Sequence, residues 1–361
     1  MSAISEERGS SLIFFERYPR RCWYIHRLHR GVHTTPMRII SLFFFLLWLW
    51  PGNSSAQRSD PTAAFRAIPN DKGYFRFHYD NDFFAKAKTD YYYTQGYSFE
   101  VGSPVFRKNP LSNILLRFKG SDPTYGLAFE HFGFTPTSIR SNEILVGDRP
   151  FAGVILLKSF ATSVDKVHKQ RLSSVLSTGM IGPAAFAGRM QATIHRWSGD
   201  VDPQGWQYQI RNDVALNYEL THERQILEVP HIVSAHTNAQ LRLGTLSDKL
   251  QAGFTLTLGR FDSPLTSSIQ RAGRNFQLYL YSQSLGSVVG YDATLQGGLF
   301  NRNSPYTLPP SELNRFTFQN NYGIVVSFWE IYAEYYRTYL SREFKTGRAH
   351  SWGGVKVGVA F

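Results

Sequence analysis

The chain ends Ser351-Trp352-Gly353-Gly354-Val355-Lys356-Val357-Gly358-Val359-Ala360-Phe361. From Val355 every second residue is apolar or small, up to an aromatic at the terminus. A period of two belongs to a strand with two unlike faces. The same alternation recurs upstream. Phe75, Phe77 and Tyr79 alternate with Arg76, His78 and Asp80, and Tyr97, Phe99 and Val101 with Ser98, Glu100 and Gly102. Tyr208, Ile210, Val214, Leu216, Tyr218 and Leu220 share one parity, and Gln209, Arg211, Asp213, Asn217, Glu219 and Thr221 the other.

Such strands build either a soluble sandwich, which buries its apolar faces, or a membrane barrel, which turns them to lipid around a polar lumen. The terminal stretch favours the barrel, because it resembles the last strand of bacterial outer-membrane barrels. An export signal favours it too. Met37-Arg38 is a short basic start, Ile39 to Trp50 is apolar apart from Ser41, Pro51-Gly52-Asn53 breaks the run, and Ser54-Ser55-Ala56 offers small residues for cleavage before Gln57. The run is shorter than the ~20 residues that span a bilayer as a helix. Residues 1–36 carry Arg8, Arg17, Arg20, Arg21, Arg27 and Arg30 without apolar periodicity, and translation from Met37 accounts for them as a misassigned extension. The chain thus divides into 1–36, a signal peptide at 37–56, and a barrel at 57–361.

Composition agrees. Aromatic residues make up 15% of the chain, which suits strands and membrane interfaces. The single cysteine, Cys22, precedes the signal, so the exported part holds itself together without disulfides. A net charge of +12 suits an anionic partner such as a phosphorylated lipid. Nucleic acid matches the charge but not the compartment. Apolar runs place strands near 73–83, 94–106, 124–134, 151–164, 169–182, 206–222, 225–246, 249–260, 274–300 (read as two), 314–329, 330–342 and 350–361. Bacterial barrels usually have even strand numbers, so the expected fold is all-β, a 12-stranded antiparallel transmembrane β-barrel. Asn303-Ser304-Pro305 and Leu308-Pro309-Pro310 read as a surface loop.

Four stretches can carry chemistry. Asn81-Asp82 closes the first strand with oxygen ligands of the kind Ca²⁺ takes, and equally with turn residues. Thr94 falls on the parity of Ser98 and Glu100, the expected lumen side, where its hydroxyl can donate to an ester carbonyl or a water, or be one more strand residue. In Gly147-Asp148-Arg149-Pro150, Arg149 can grip a phosphate or pair with a carboxylate. The fourth stretch runs Gln191-Ala192-Thr193-Ile194-His195. Pro183 can open a short helix there, Gly199 and Pro203 stop it, and Gln191 and His195 share a face four residues apart. Such a histidine is either a general base held by its neighbour or a packing residue of a loop helix.

Taken in series, Asn81-Asp82, Tyr93-Thr94-Gln95-Gly96, Asp148-Arg149, Gln191-x-x-x-His195-Arg196 and Pro203-x-x-Trp206-x-x-Gln209 resemble the lipid A 3′-O-deacylase family of Gram-negative outer membranes. The resemblance spans residues ~79 to 209. It implies a 12-stranded barrel in the bacterial outer membrane, with its site near the outer rim between the wall and a short loop helix. It implies functional roles for Asn81, Asp82, Thr94, Gln191 and His195, with Ca²⁺ as cofactor and an acyl ester of lipid A, the anchor of lipopolysaccharide, as substrate. The family also places a lysine between the third strand and the Asp-Arg pair. Here the nearest cation is Arg140, which takes that place beside Arg149 as a substrate-binding candidate. The chemistry implied is ester hydrolysis by a His195-activated water, with Ca²⁺ near Asp82 stabilising the oxyanion. Ser198, three residues past His195, is a less attractive nucleophile. Two further readings remain open: a phospholipase or esterase on another lipid, and a non-catalytic channel or structural barrel.

Overall fold

A computed structural model describes residues 73–85, 91–263, 265 and 276–361. The expectations for 1–36, 37–56 and the leader at 57–72 lie outside these residues. Twelve strands follow in order: β1 (Tyr74–Asn81), β2 (Tyr92–Gly102), β3 (Thr124–Thr135), β4 (Ala152–Asp165), β5 (Gln170–Ile181), β6 (Asp213–Val229), β7 (Val233–Gly244), β8 (Ser247–Arg260), β9 (Gln277–Asp292), β10 (Phe316–Phe328), β11 (Ile331–Leu340) and β12 (His350–Ala360). Each pairs antiparallel with the next, and β12 returns to β1 to close the barrel. Closure runs along the stretch that ends the chain, Phe77 opposite Val357 and Tyr74 opposite Ala360. Gly73 and Phe361 exchange two backbone hydrogen bonds, of 3.0 and 2.9 Å. A closed sheet leaves no unpaired edge for lipid to meet.

The alternation sorts side chains as expected. Along β1, Tyr74, Arg76, His78 and Asp80 are buried in the lumen, while Phe75, Phe77 and Tyr79 face out. The lumen is lined by ion pairs, among them Arg76–Glu100 (2.7 Å), Lys158–Glu130 (2.6 Å) and Arg171–Glu223. The connections 166–169, 230–232 and 329–330 are short and share an end with both termini. Those at 136–151, 182–212 and 293–315 are long and lie at the opposite rim, which in this architecture faces the cell exterior.

The strand boundaries differ from the sequence reading in three places. The described residues of the stretch 274–300, which begin at 276, contain one strand, β9, and not two. Asp292 ends it by capping the short helix α2 (Ala293–Gln296), its carboxylate accepting from the Thr294 amide at 2.8 Å. The break expected near 223–224 is not there, because Glu223 points into the lumen to pair with Arg171 and β6 runs on to Val229. Residues 206–208 form a 3-10 turn, and β6 begins only at Asp213.

Candidate functional site

The loop 182–212 folds back onto the outside of the barrel at the outer rim. Pro183 opens a separate 3-10 turn (Pro183–Ala185) and not the helix itself. Phe186 then takes a left-handed conformation (φ 50°), and α1 (Ala187–Ser198) starts after it. The Phe186 ring stacks on His131 of β3 at 4.8 Å, and His131 Nε2 hydrogen-bonds the Ala185 carbonyl at 2.8 Å. Small residues let the helix lie close to the wall. A Cβ on Gly153 of β4 would sit 2.6 Å from that of Ala187, and one on Gly188 would sit 2.8 Å from the Trp206 ring. Ile139, Phe151, Ala187 and Trp206 form an apolar cluster beneath it. Gly199 ends the helix at φ 75°, as the sequence predicts.

Gln191 and His195 share the buried face of α1, at 1% and 8% exposure. The Trp206 indole donates to Gln191 Oε1 at 2.7 Å. An indole N–H can only donate, so it fixes which end of the amide is oxygen. Gln191 Nε2 is then the donor to Thr94 Oγ1, at 3.0 Å. Thr94 accepts in this pair, which directs its own O–H elsewhere. His195 Nδ1 lies 2.6 Å from the Val201 carbonyl. A carbonyl only accepts, so Nδ1 carries the proton and Nε2 is the basic nitrogen of the neutral ring. Ser198 Oγ donates to the backbone carbonyl of His195, not to its ring.

Thr94 is on the outside of the wall, and this corrects the lumen placement. The β2–β3 register shifts between Tyr93 and Gln95, so Thr94 is the extra residue of a β-bulge. Tyr93 keeps to the lumen, where its hydroxyl donates to Asp80 at 2.6 Å, and Thr94 turns out under α1. Asn81 and Gln95 are opposite one another, as are Gln95 and Gly133, and Gly133 and Gly153. That row crosses the outer wall beneath the helix. Ala187 lies over Gly133 and Gly153, and Gln191 one turn on reaches β2. One further turn, about 6 Å along the axis, continues this line toward the end of β1.

There Asn81 Oδ1 accepts from the Phe83 amide at 2.9 Å, so the turn role of this asparagine is realised. Asp82 is buried in the 3-10 turn Asp82–Ala85. Among the described residues no three His, Cys, Asp or Glu side chains gather as a metal cage. The donors present are oxygens: one carboxylate, the Asn81 and Gln95 amides, the Thr94 hydroxyl and backbone carbonyls. This suits a hard cation such as Ca²⁺, which takes carbonyl and water oxygens to complete its shell, and does not suit zinc.

Arg149 stands apart from these residues, in contacts of its own. Its guanidinium is buried, pairs with Glu343, donates to Thr294 Oγ1 at 2.6 Å and lies 3.8 Å from the Phe134 ring centre. Burial lowers it to about 10, still cationic at neutral pH. Its neighbour Asp148 accepts from Thr137, 2.8 Å from the amide and 2.5 Å from the hydroxyl. Arg140 is exposed and follows Ile139, which packs under the helix, so it stands at the margin of the site. Two residues of the quoted motifs prove more important than the sequence reading made them. Trp206 orients Gln191. Gln95, beside Thr94, buries an Nε2 that has no hydrogen-bond partner among the described residues.

Residues 40–361 match the family described as outer membrane protein LpxR. The chain belongs to that family. Among solved structures, LpxR from Salmonella typhimurium is similar with a TM-score of 0.64 and 18% identity, over 79% of this chain and 99% of that one. At that identity the likeness carries the LpxR fold alone, a closed 12-stranded outer-membrane barrel with one short helix on a rim loop. The β domain of the Bordetella autotransporter BrkA is similar with a TM-score of 0.42 and 9% identity, over 80% of this chain and 99% of that one. No curated protein sequence matches the chain. Family and architecture together place the protein in the bacterial outer membrane.

Proposed function

We propose that this protein is a lipid A deacylase that hydrolyses an acyl ester of lipid A with a water activated by His195. The observation that carries the reading is the Nδ1–H contact to the Val201 carbonyl, which leaves Nε2 as the base on a helix lying against the outer wall. A site on that face at the outer rim meets the leaflet that holds lipopolysaccharide. Nε2 takes a proton from water as its oxygen attacks the acyl carbon. The proton then passes to the departing sugar oxygen as the acyl–oxygen bond breaks, releasing a fatty acid and an alcohol. General-base help of this kind is typically worth about 10²–10⁴-fold.

Thr94, held by the Trp206–Gln191 relay, donates its hydroxyl to the ester carbonyl or to the attacking water. Asp82, with Asn81, would hold Ca²⁺, which when bound supplies positive charge for the ester carbonyl oxygen. Arg140 at the margin meets a lipid A phosphate. Mass spectrometry of lipid A from cells with and without the protein tests the reading. A loss of one acyl chain is expected only in cells that make the protein, and a strong chelator should abolish it. Unchanged lipid A, with phospholipids shortened instead, would transfer the same chemistry to another lipid ester.

A further inference from the structure

The segment 103–118, between β2 and β3, starts at the end of the barrel that carries both termini and folds back along the outside of the wall. It makes two 3-10 turns, Pro104–Lys108 and Pro110–Asn113, capped by Ser103 and Asn109. Outward side chains of three strands fasten it. The Tyr218 hydroxyl of β6 donates to the Ile114 carbonyl at 2.8 Å and accepts from the Leu116 amide at 3.1 Å. Ser174 of β5 donates to the Leu116 carbonyl at 2.8 Å, and Ser163 of β4 accepts from the Phe118 amide at 3.1 Å. Leu115 buries itself on Tyr125 and Ala161. These serines sit on lipid-facing positions, and the segment covers them.

The outer side of this strap is of a different kind. Val105, Leu111, Ile114 and Leu116 are exposed. So are Arg107, Lys108 and Arg117. The ion pair made here is a loose one, Arg107 with the exposed Asp122 at 3.8 Å. The barrel wall around the strap faces the bilayer, so its exposed side faces the bilayer as well. Apolar side chains among clustered cations make an element that lies in the membrane interface and attracts anionic lipid.

We propose that the strap is an in-plane anchor that binds anionic phospholipid of the periplasmic leaflet, its three cations on the headgroup phosphates and its four aliphatic side chains among the acyl chains. A second copy of this chain is a poor occupant, because the same three cations would face each other across the contact. The site is at the rim opposite α1 and does not depend on the catalytic reading, so the two fail separately.

The test uses the folded barrel reconstituted in bilayers, with spin-labelled phosphatidylglycerol and phosphatidylcholine as probes. The wild type should prefer phosphatidylglycerol, and salt should weaken the preference. In Arg107→Gln/Lys108→Gln/Arg117→Gln the preference should fall at least about five-fold, the scale of one cation at an anionic surface. A nitroxide on Ile114→Cys, with Leu111→Cys as a second position, should be relaxed more by oxygen than by a water-soluble nickel complex. Heat-modifiable migration checks folding of each variant. A wild type with no preference, a three-cation variant that keeps it, nickel-accessible labels, or label–label broadening from a second copy would each overturn the proposal.

Discussion

Two sets of polar residues sit on opposite faces of one wall, and they are built on different principles. Inside, charge meets charge: Arg76 with Glu100, Lys158 with Glu130, Arg242 with Glu219 at 2.5 Å, and Lys356 with Glu334 at 3.6 Å. Outside, at the outer rim, the chain Trp206–Gln191–Thr94 and the pair His195–Val201 are held by hydrogen bonds among indole, amide, hydroxyl, imidazole and carbonyl groups. The lumen pairs cancel each other and tie strand to strand. The outer set uses groups that can only donate or only accept, so each bond decides the orientation of the next group. It ends on a hydroxyl with a proton to give and on a ring nitrogen able to take one. Charge density is therefore a poor guide to the proposed site here. Directed neutral contacts mark it better.

This division can be broken by substitution. The largest effect on folding is expected inside. Glu334 accepts from Tyr281 at 2.6 Å and from Tyr332 at 2.7 Å, beside Lys356. Glu334→Ala should cost about 3–5 kcal/mol of stability, the scale of a broken buried pair. It should leave deacylation per folded molecule unchanged, as read by denaturant titration and product mass spectrometry. A matching loss of activity would mean that the two faces are not separate. Next comes Thr94→Val, which keeps the shape of the bulge and removes the donor. A loss of roughly 10²-fold is expected, the scale of one transition-state donor, with the unfolding midpoint held. Trp206→Phe is the mildest. It removes one neutral hydrogen bond, worth about 1 kcal/mol, so the rate should drop by roughly five-fold, the relay loosening without breaking. A Trp206→Phe loss as large as that of Thr94→Val would assign the indole a direct part in catalysis.

The barrel was legible because lipid and lumen impose opposite demands on alternate residues, and that contrast survives in β1 and β12 without any alignment. Helix α1 was legible for the same kind of reason, through the four-residue spacing of Gln191 and His195 and the Gly199 stop. The side of the wall was not. A bulge adds one residue, parity counting carries no trace of it, and Thr94 was assigned to the wrong face. Arg149 was equally opaque. Its partner Glu343 is 194 residues away, and nothing local distinguishes a phosphate-binding arginine from one buried on a carboxylate. Ser163 and Ser174 are polar residues on lipid-facing positions, and what they do there, fastening the strap, shows only in the fold. In each case the deciding contact is long-range, and sequence periodicity records only what is near.

The central claim is that His195, on a helix against the outer wall, is the base of ester hydrolysis. Its most direct test is the deacylation of purified lipid A by folded His195→Ala and wild-type barrels, with the released fatty acid quantified by mass spectrometry. The account predicts normal heat-modifiable folding and a rate lower by about 10²–10⁴-fold. A folded His195→Ala barrel that deacylates lipid A within a few-fold of the wild type would contradict it and reduce α1 to a structural helix.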